Sequence, residues 1–403
     1  MYAFRKPFAA AKFEGLDLTL WVSDFKIEIG LKTAFVISQI VGYTISKYVG
    51  IKVCSEITRG RRATALVLLI LLAEAALLLF AVLPNQWKIL AIFLNGLPLG
   101  MVWGLVVWYL EGRRMSEILL AGLSCSFILA SGMVKDVGRF VMSDWHFSEA
   151  WMPVVTGGLF LPLFLLSVWL LNQLPAPSTA DVLLRVRREP MDGQQRISFM
   201  RQFLPGMIVL LVVYLFLTAY RDFRDNYGVE IFAELGYHEE PALFTRSELP
   251  VAFGVLIALA ALSLIKNNRR GLIGAFVVMA GGAAMMGIST ILFDNDAING
   301  QWWMILVGLG SYLAYVPFGS MLFDRLIAST RTTGTAVFAI YVADAIGYTG
   351  SIGVQLYKDL GQSDISRLEF FRLMTYGLSI LALVGLTASC LYFVIRHVRA
   401  DAP

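Results

Sequence analysis

The sequence predicts an all-α integral membrane protein of twelve helices, built as two pseudo-symmetric six-helix halves. Three observations carry that expectation. Apolar residues make up 58% of the chain and charged residues 15%, where a soluble domain carries about a quarter charged residues. Apolar stretches of about 20 residues, the length that crosses a bilayer core of about 30 Å, recur along the whole chain. A basic, proline-containing linker, PAPSTADVLLRVRREPMDGQQRISFMRQF at 175–203, separates residues 1–174 from residues 204–403.

The spans fall at 33–53, 63–83, 87–110, 118–141 and 149–174 before the linker, and at 204–232, 247–265, 272–293, 302–325, 334–356 and 367–395 after it. These make eleven full spans, with the opening segment as a twelfth. Counting the opening segment as the first span, the even-numbered loops are basic: Arg59, Arg61 and Arg62; Arg113 and Arg114; the linker; Lys266, Arg269 and Arg270; Arg331. The odd loops lean acidic, with Glu234, Glu239 and Glu240, or Asp294 and Asp296. The positive-inside rule then puts both termini in the cytoplasm of a bacterial inner membrane. That orientation requires the opening segment to cross, yet Met1 to Phe13 rises only about 20 Å as a helix. The expectation is a first helix truncated at its N-terminal side, with a start codon further upstream.

The opening segment aligns without a gap on the first span after the linker. Phe4-Arg5-Lys6-Pro7-Phe8 lies over Phe223-Arg224-Asp225-Asn226-Tyr227, and Phe13 over Phe232. Internal duplication is a mark of transporters, whose substrate sites lie near the bilayer midplane between the repeats. Charged residues at membrane depth are costly and mark function by default. They nominate Tyr2, Arg5, Lys6, Lys47, Arg221, Arg224 and Asp225 as substrate-binding residues. Glu74, Lys135, Asp136, Arg139 and Asp344 are nominated for coupling or gating. The bland readings are a cytoplasmic flank for Arg5 and Lys6, structural ion pairs for Lys47, Glu74 and Asp344, and interfacial snorkelling for Lys135, Asp136 and Arg139. Glycines in GLPLGMVWG (96–104) and GYTGSIG (347–353) suit close helix contacts.

Other function classes find no support. The three cysteines and three histidines show no metal or disulfide spacing, and the histidines fall in loops or at a span end. No phosphate-cradling loop, cofactor motif or nucleic-acid-binding tract is visible. The expectation is therefore a non-enzyme without cofactor or metal. Its partners are the lipid bilayer, a small anionic substrate and a proton or phosphate counter-substrate.

Twelve spans in two halves, with basic turns after the second and eighth, resemble the major facilitator superfamily. The turn GIKVCSEITRGRR (50–62) resembles a degraded form of that family's first cytoplasmic signature, with Gly50, Glu56, Gly60, Arg61 and Arg62 standing for its Gly, acid, Gly and two bases and a longer spacing between Gly50 and Glu56. The partner turn KNNRRG (266–271) keeps only its bases. Within the superfamily, YAFRKPF (2–8), the Ser46-Lys47 pair of GYTISKYVG (42–50) and GMVWG (100–104) resemble the organophosphate:phosphate antiporters. The resemblance implies a phosphate clamp of one arginine per half, here Arg5 and Arg224, with Arg221 as the other choice in the second half. It also implies rocking of the halves for alternating access. The chain departs from that branch in its fifth helix, where the branch's histidine is absent and Ser124, Ser126 and Ser131 are the polar residues. The expected function is secondary transport of a small organic anion, phosphorylated or not, by alternating access; a phosphorylated one is what the resemblance implies. The alternative is a transporter-shaped sensor for such an anion that signals to a membrane partner.

Overall fold

The computed structural model describes residues 1–13, 17–22, 25–57, 59–110, 116–175, 193–238, 240, 242–330, 336–361 and 364–396. Most of the expected linker, together with Arg113, Arg114 and Arg331 of the basic loops and Glu239, lies outside these residues. From Gly193 the chain is already helical, so the end of the expected linker belongs to the following helix.

The chain opens with a single helical turn, α1 (Tyr2–Arg5), and a 3-10 turn, Pro7–Ala10. An antiparallel hairpin follows, β1 (Asp17–Val22) and β2 (Phe25–Gly30), with Asp17 opposite Gly30. The first half continues with α2 (Leu31–Glu56), α3 (Arg59–Val82), α4 (Asn85–Leu110), α5 (Ser116–Ser143) and α6 (Met152–Asn172). The second half begins with α7 (Gly193–Asn226) and the short α8 (Gly228–Glu234), then α9 (Leu243–Ser263) and α10 (Asn268–Asp294). Next, α11 (Gly300–Pro317) runs through a π-helical turn, Phe318–Leu322, into α12 (Phe323–Thr330). Last come α13 (Ala336–Leu356) and α14 (Arg367–Arg396).

Among the described residues, nine helices are long and apolar enough to cross a membrane. Their outward faces carry Leu72, Trp169, Ile257, Ile380, Val384 and Ile395 uncovered. A water-facing surface would not leave so much contiguous apolar area bare. The protein is a multi-pass membrane protein, all-α apart from the hairpin. The hairpin went unanticipated although FKIEIG, and DLTLWV over its first four residues, alternate apolar and polar residues, the period of a strand.

Helix contacts repeat between the halves. In the first, α2 packs on α4, α3 on α4 and on α6, and α1 on α5 and α6. In the second, α9 packs on α11, α10 on α11 and on α14, and α7 on α13 and α14. Position for position these are the same pairs. The halves meet through exchanged partners: α5 against α9, and α2 against α13. Small residues permit the closest approaches. Gly96 and Gly100 of α4 abut the α2 backbone at Gln39 and Tyr43, and Gly282 of α10 abuts Gly310 of α11.

Candidate functional site

The site begins with a broken helix. Proline at position 7 has no N–H and cannot extend α1, and the chain tightens into the 3-10 turn, with Ala9 N–H donating to Lys6. The carbonyls of Phe4 and Arg5 therefore lose their helical partners. In a membrane interior an unsatisfied backbone group costs several kcal/mol. Two buried amides replace the missing donors: Asn95 Nδ2 donates to Phe4 O at 2.9 Å, and Gln39 Nε2 donates to Arg5 O at 2.6 Å. Gln39 and Asn95 also bond to each other at 2.8 Å. Further on, Lys32 Nζ caps Ala9 O at 3.1 Å. The backbone that carries Arg5 is thus clamped by α2 and α4.

The Arg5 side chain points into a cavity of about 470 Å³ between the halves. It is 2% exposed. Its guanidinium carbon lies 3.9 Å from the centroid of the Tyr43 ring and 5.8 Å from that of Tyr348, and the two rings meet edge to face. Its Nε and Nη2 have no hydrogen-bond partner. Among the described residues, no carboxylate forms an ion pair with it. A cation–π contact worth up to about 2 kcal/mol when desolvated offsets only part of the cost of burying that charge.

Arg221 lines the cavity from α7. It stacks over Tyr315 at 4.4 Å and pairs with Asp222 at 2.9 Å, while Asp222 accepts from Ser351 Oγ at 3.0 Å. Lys47 and Asp344 also face the cavity and pair across the halves at 3.1 Å. Asp344 accepts from the Tyr214 hydroxyl at 2.6 Å, and the Tyr214 and Tyr315 hydroxyls sit 3.0 Å apart. Tyr2 lines the cavity and stacks on Phe127. The π-helical turn contributes Gly319 to the wall. The rest of the wall is largely apolar, with Val102, Trp103, Leu123, Phe127, Phe160 and Phe164, and its serines, Ser124, Ser126 and Ser167, donate their hydroxyl protons to carbonyls of their own helices.

Arg224, expected as the partner of Arg5, is not part of the cavity wall. Its Nη1 donates to Glu248 at 2.6 Å and its Nη2 to the Met304 carbonyl at 3.0 Å. Glu248 neutralises it inside the second half, although its Nε keeps no partner. The cavity position in α7 belongs to Arg221, one helical turn earlier. The aligned segments do break alike: α1 ends at Arg5 and α7 at Asn226, within two residues of the aligned arginines.

Lys6 and Asp225 also turn away from the cavity, into a layer that ties the halves together on the side opposite the basic loops. Asp225 pairs with Lys135 at 2.5 Å and with Lys6 at 3.6 Å, and accepts from Ser131. Lys6 Nζ also donates to Asn226 Oδ1. Around this core, Lys32 pairs with Glu230 at 2.6 Å, and Thr33 bonds to Tyr227 at 2.8 Å. Asp136 accepts from Thr245 N at 2.7 Å, and Arg139 Nη2 donates to His238 O at 2.6 Å. Lys135, Asp136 and Arg139 thus act together across the halves rather than snorkelling locally. Glu74 lies elsewhere: half-buried on α3, it faces Gly157 of α6, with Oε2 unbonded.

A family model described as a family of unknown function (DUF5690) matches residues 7–396. The chain belongs to this family. No curated protein matches it. Among the described residues of this DUF5690 member, no group of three or more His, Cys, Asp or Glu is placed to hold a metal ion. Sequence reasoning passed over the partners that shape the site: Tyr43, Tyr315 and Tyr348 under the arginines, Gln39 and Asn95 under the broken helix, and Glu248 against Arg224. Gln39 and Asn95 had a signal, since each is an amide inside an otherwise apolar span.

Proposed function

We propose that this protein is a secondary transporter of the major facilitator type that moves a small organic anion by alternating access. The observation that carries the reading is Arg5: a buried guanidinium with no carboxylate in ion-pair contact among the described residues, its Nε–Nη2 edge unbonded, at a cavity between two repeated halves. Burying such a charge is costly, and an arriving anion offsets that cost with charge-assisted hydrogen bonds. The exchanged contacts, α2 with α13 and α5 with α9, support the reading, because they let one half rock against the other about the cavity.

In this reading the polar layer from Lys6 to Arg139 is the closed gate, and the cavity communicates with the basic-loop side. Under the positive-inside rule that side is the cytoplasm of a bacterial inner membrane. Transport requires the gate to part: Asp225 leaves Lys6 and Lys135, and Glu230 leaves Lys32. Binding lowers the barrier because the anion neutralises the cavity before the halves move. A counter-moving proton or phosphate drives the cycle.

Counterflow in proteoliposomes tests this. Vesicles are loaded with unlabelled p-aminohippurate or glycerol 3-phosphate, both poorly permeant, and given a trace of the labelled compound outside. Transient accumulation of at least one, lost in Arg5→Gln, is the expected result. No accumulation of either above protein-free vesicles would overturn the reading.

A further inference from the structure

The charges on the cavity wall can be balanced group by group. Among the described side chains, three cations face it, Arg5, Lys47 and Arg221, with one anion, Asp344. Lys47 is paired with Asp344 at 3.1 Å and Arg221 with Asp222 at 2.9 Å. One charge, that of Arg5, remains for a ligand. The next excess charge, where Lys6 and Lys135 share Asp225, belongs to the closed layer and not to the wall.

The geometry of Arg5 suits an anion with two oxygens side by side. Nε–H and Nη2–H lie on one edge of the guanidinium and form a side-on fork. Both are unbonded and covered by neighbouring atoms, so an anion reaches them when those neighbours give way, and the Tyr43 ring lies 3.9 Å from the guanidinium carbon. Such a fork donates to two oxygens of one anion, carboxylate or phosphate alike, so charge and wall decide between them. A phosphate monoester brings a charge of about −1.5 to −2 and three terminal oxygens. It would leave net negative charge beside one unpaired cation, in a cavity where Val102, Trp103, Leu123, Phe127, Phe160 and Phe164 are apolar and Ser124, Ser126 and Ser167 donate to their own helices. The same wall would take an apolar ligand body, and the volume of about 470 Å³ is within the range of small-molecule sites, about 300–1,000 Å³.

We infer that the cavity takes an organic monoanion, a carboxylate on an apolar body, with the carboxylate on the Arg5 fork and the body against the aromatic wall. This deepens the anion-transport reading above and rests on it.

The test is ligand titration of the full chain in detergent, read by calorimetry and by melting temperature. The probes are phenylacetate, p-aminohippurate, acetate, phenyl phosphate, glycerol 3-phosphate and benzyl alcohol. Phenylacetate or p-aminohippurate should bind at least about tenfold tighter than phenyl phosphate and than acetate, a difference of about 1.4 kcal/mol. Arg5→Lys keeps the charge but not the fork, and should weaken that binding about tenfold or more. The wild-type selectivity series needs no variant and decides the matter even if Arg5→Lys folds poorly. Phenyl phosphate or glycerol 3-phosphate binding as tightly as the carboxylates would overturn the inference and leave the transport reading standing. Carboxylate binding without counterflow would overturn the transport reading and leave the inference standing. No binding by any anion would overturn both.

Discussion

Asn95 of α4 holds the carbonyl of Phe4 at 2.9 Å and that of Ala73 on α3 at 2.9 Å. One amide thus joins the broken opening helix to two neighbours, and Arg5 follows the clamped carbonyl by one residue. The position of the cation in the cavity is set by polar groups that never touch the cavity.

Replacing Asn95 by Leu should therefore disturb the site from a distance. It removes the donor to Phe4 O and leaves that carbonyl buried, a cost of about 1–3 kcal/mol. A lowered melting temperature together with weakened anion binding is expected. Unchanged binding in a folded Asn95→Leu protein would mean that Arg5 is placed by other contacts.

Arg5 itself should be worth more to binding than to stability. Its charge is buried and meets no carboxylate among the described residues, so Arg5→Gln should raise the ligand-free stability on the order of 1 kcal/mol while abolishing anion binding. A thermal scan without ligand checks the first half. A large loss of stability would show that the cation is structural.

Lys47 and Asp344 should behave as a coupled pair. Removing one partner of a buried pair costs about 3–5 kcal/mol, because the other charge is left behind. Lys47→Gln and Asp344→Asn should each be strongly destabilising, and the double variant less so than the sum. A double-mutant cycle by denaturation measures this, and additive effects would contradict the pairing.

The closed layer predicts a shift in accessibility. With Asp225→Asn, Lys6 and Lys135 lose their shared carboxylate and the layer loosens. A cysteine introduced by Thr33→Cys, opposite Tyr227, should then react several-fold faster with a membrane-impermeant thiol reagent than in the Asp225 background. Equal rates would show that the ion pairs do not hold this side shut.

Close helix packing gives a test independent of charge. A Cβ at Gly96 would collide with the backbone of α2 at Gln39 and Tyr43. Gly96→Val should destabilise by about 1–3 kcal/mol or more through overpacking. Gly122 of α5 faces open space, so Gly122→Ala should be close to neutral in the same melting assay.

The membrane class and the long apolar helices were legible because hydropathy accumulates over about 20 residues and tolerates local error. The alignment of Arg5 on Arg224 was legible too, and the helices do break at matching places. The choice between Arg224 and Arg221 was not. Both lie on one face of α7, and the choice depends on Glu248, 24 residues ahead on another helix. Likewise, nothing near Lys6 announces that it will turn to Asn226 and away from the cavity. Side-chain direction at a broken helix follows from which neighbours supply the missing donors, which is a tertiary fact.

In the proposed transport cycle the Arg5 guanidinium holds the anion. Counterflow of p-aminohippurate by three proteins tests it most directly: the wild type, Arg5→Gln, and the neutral double variant Arg224→Gln/Glu248→Gln. Accumulation by the wild type and by the double variant is expected, and none by Arg5→Gln. Accumulation by Arg5→Gln at the wild-type rate would contradict it.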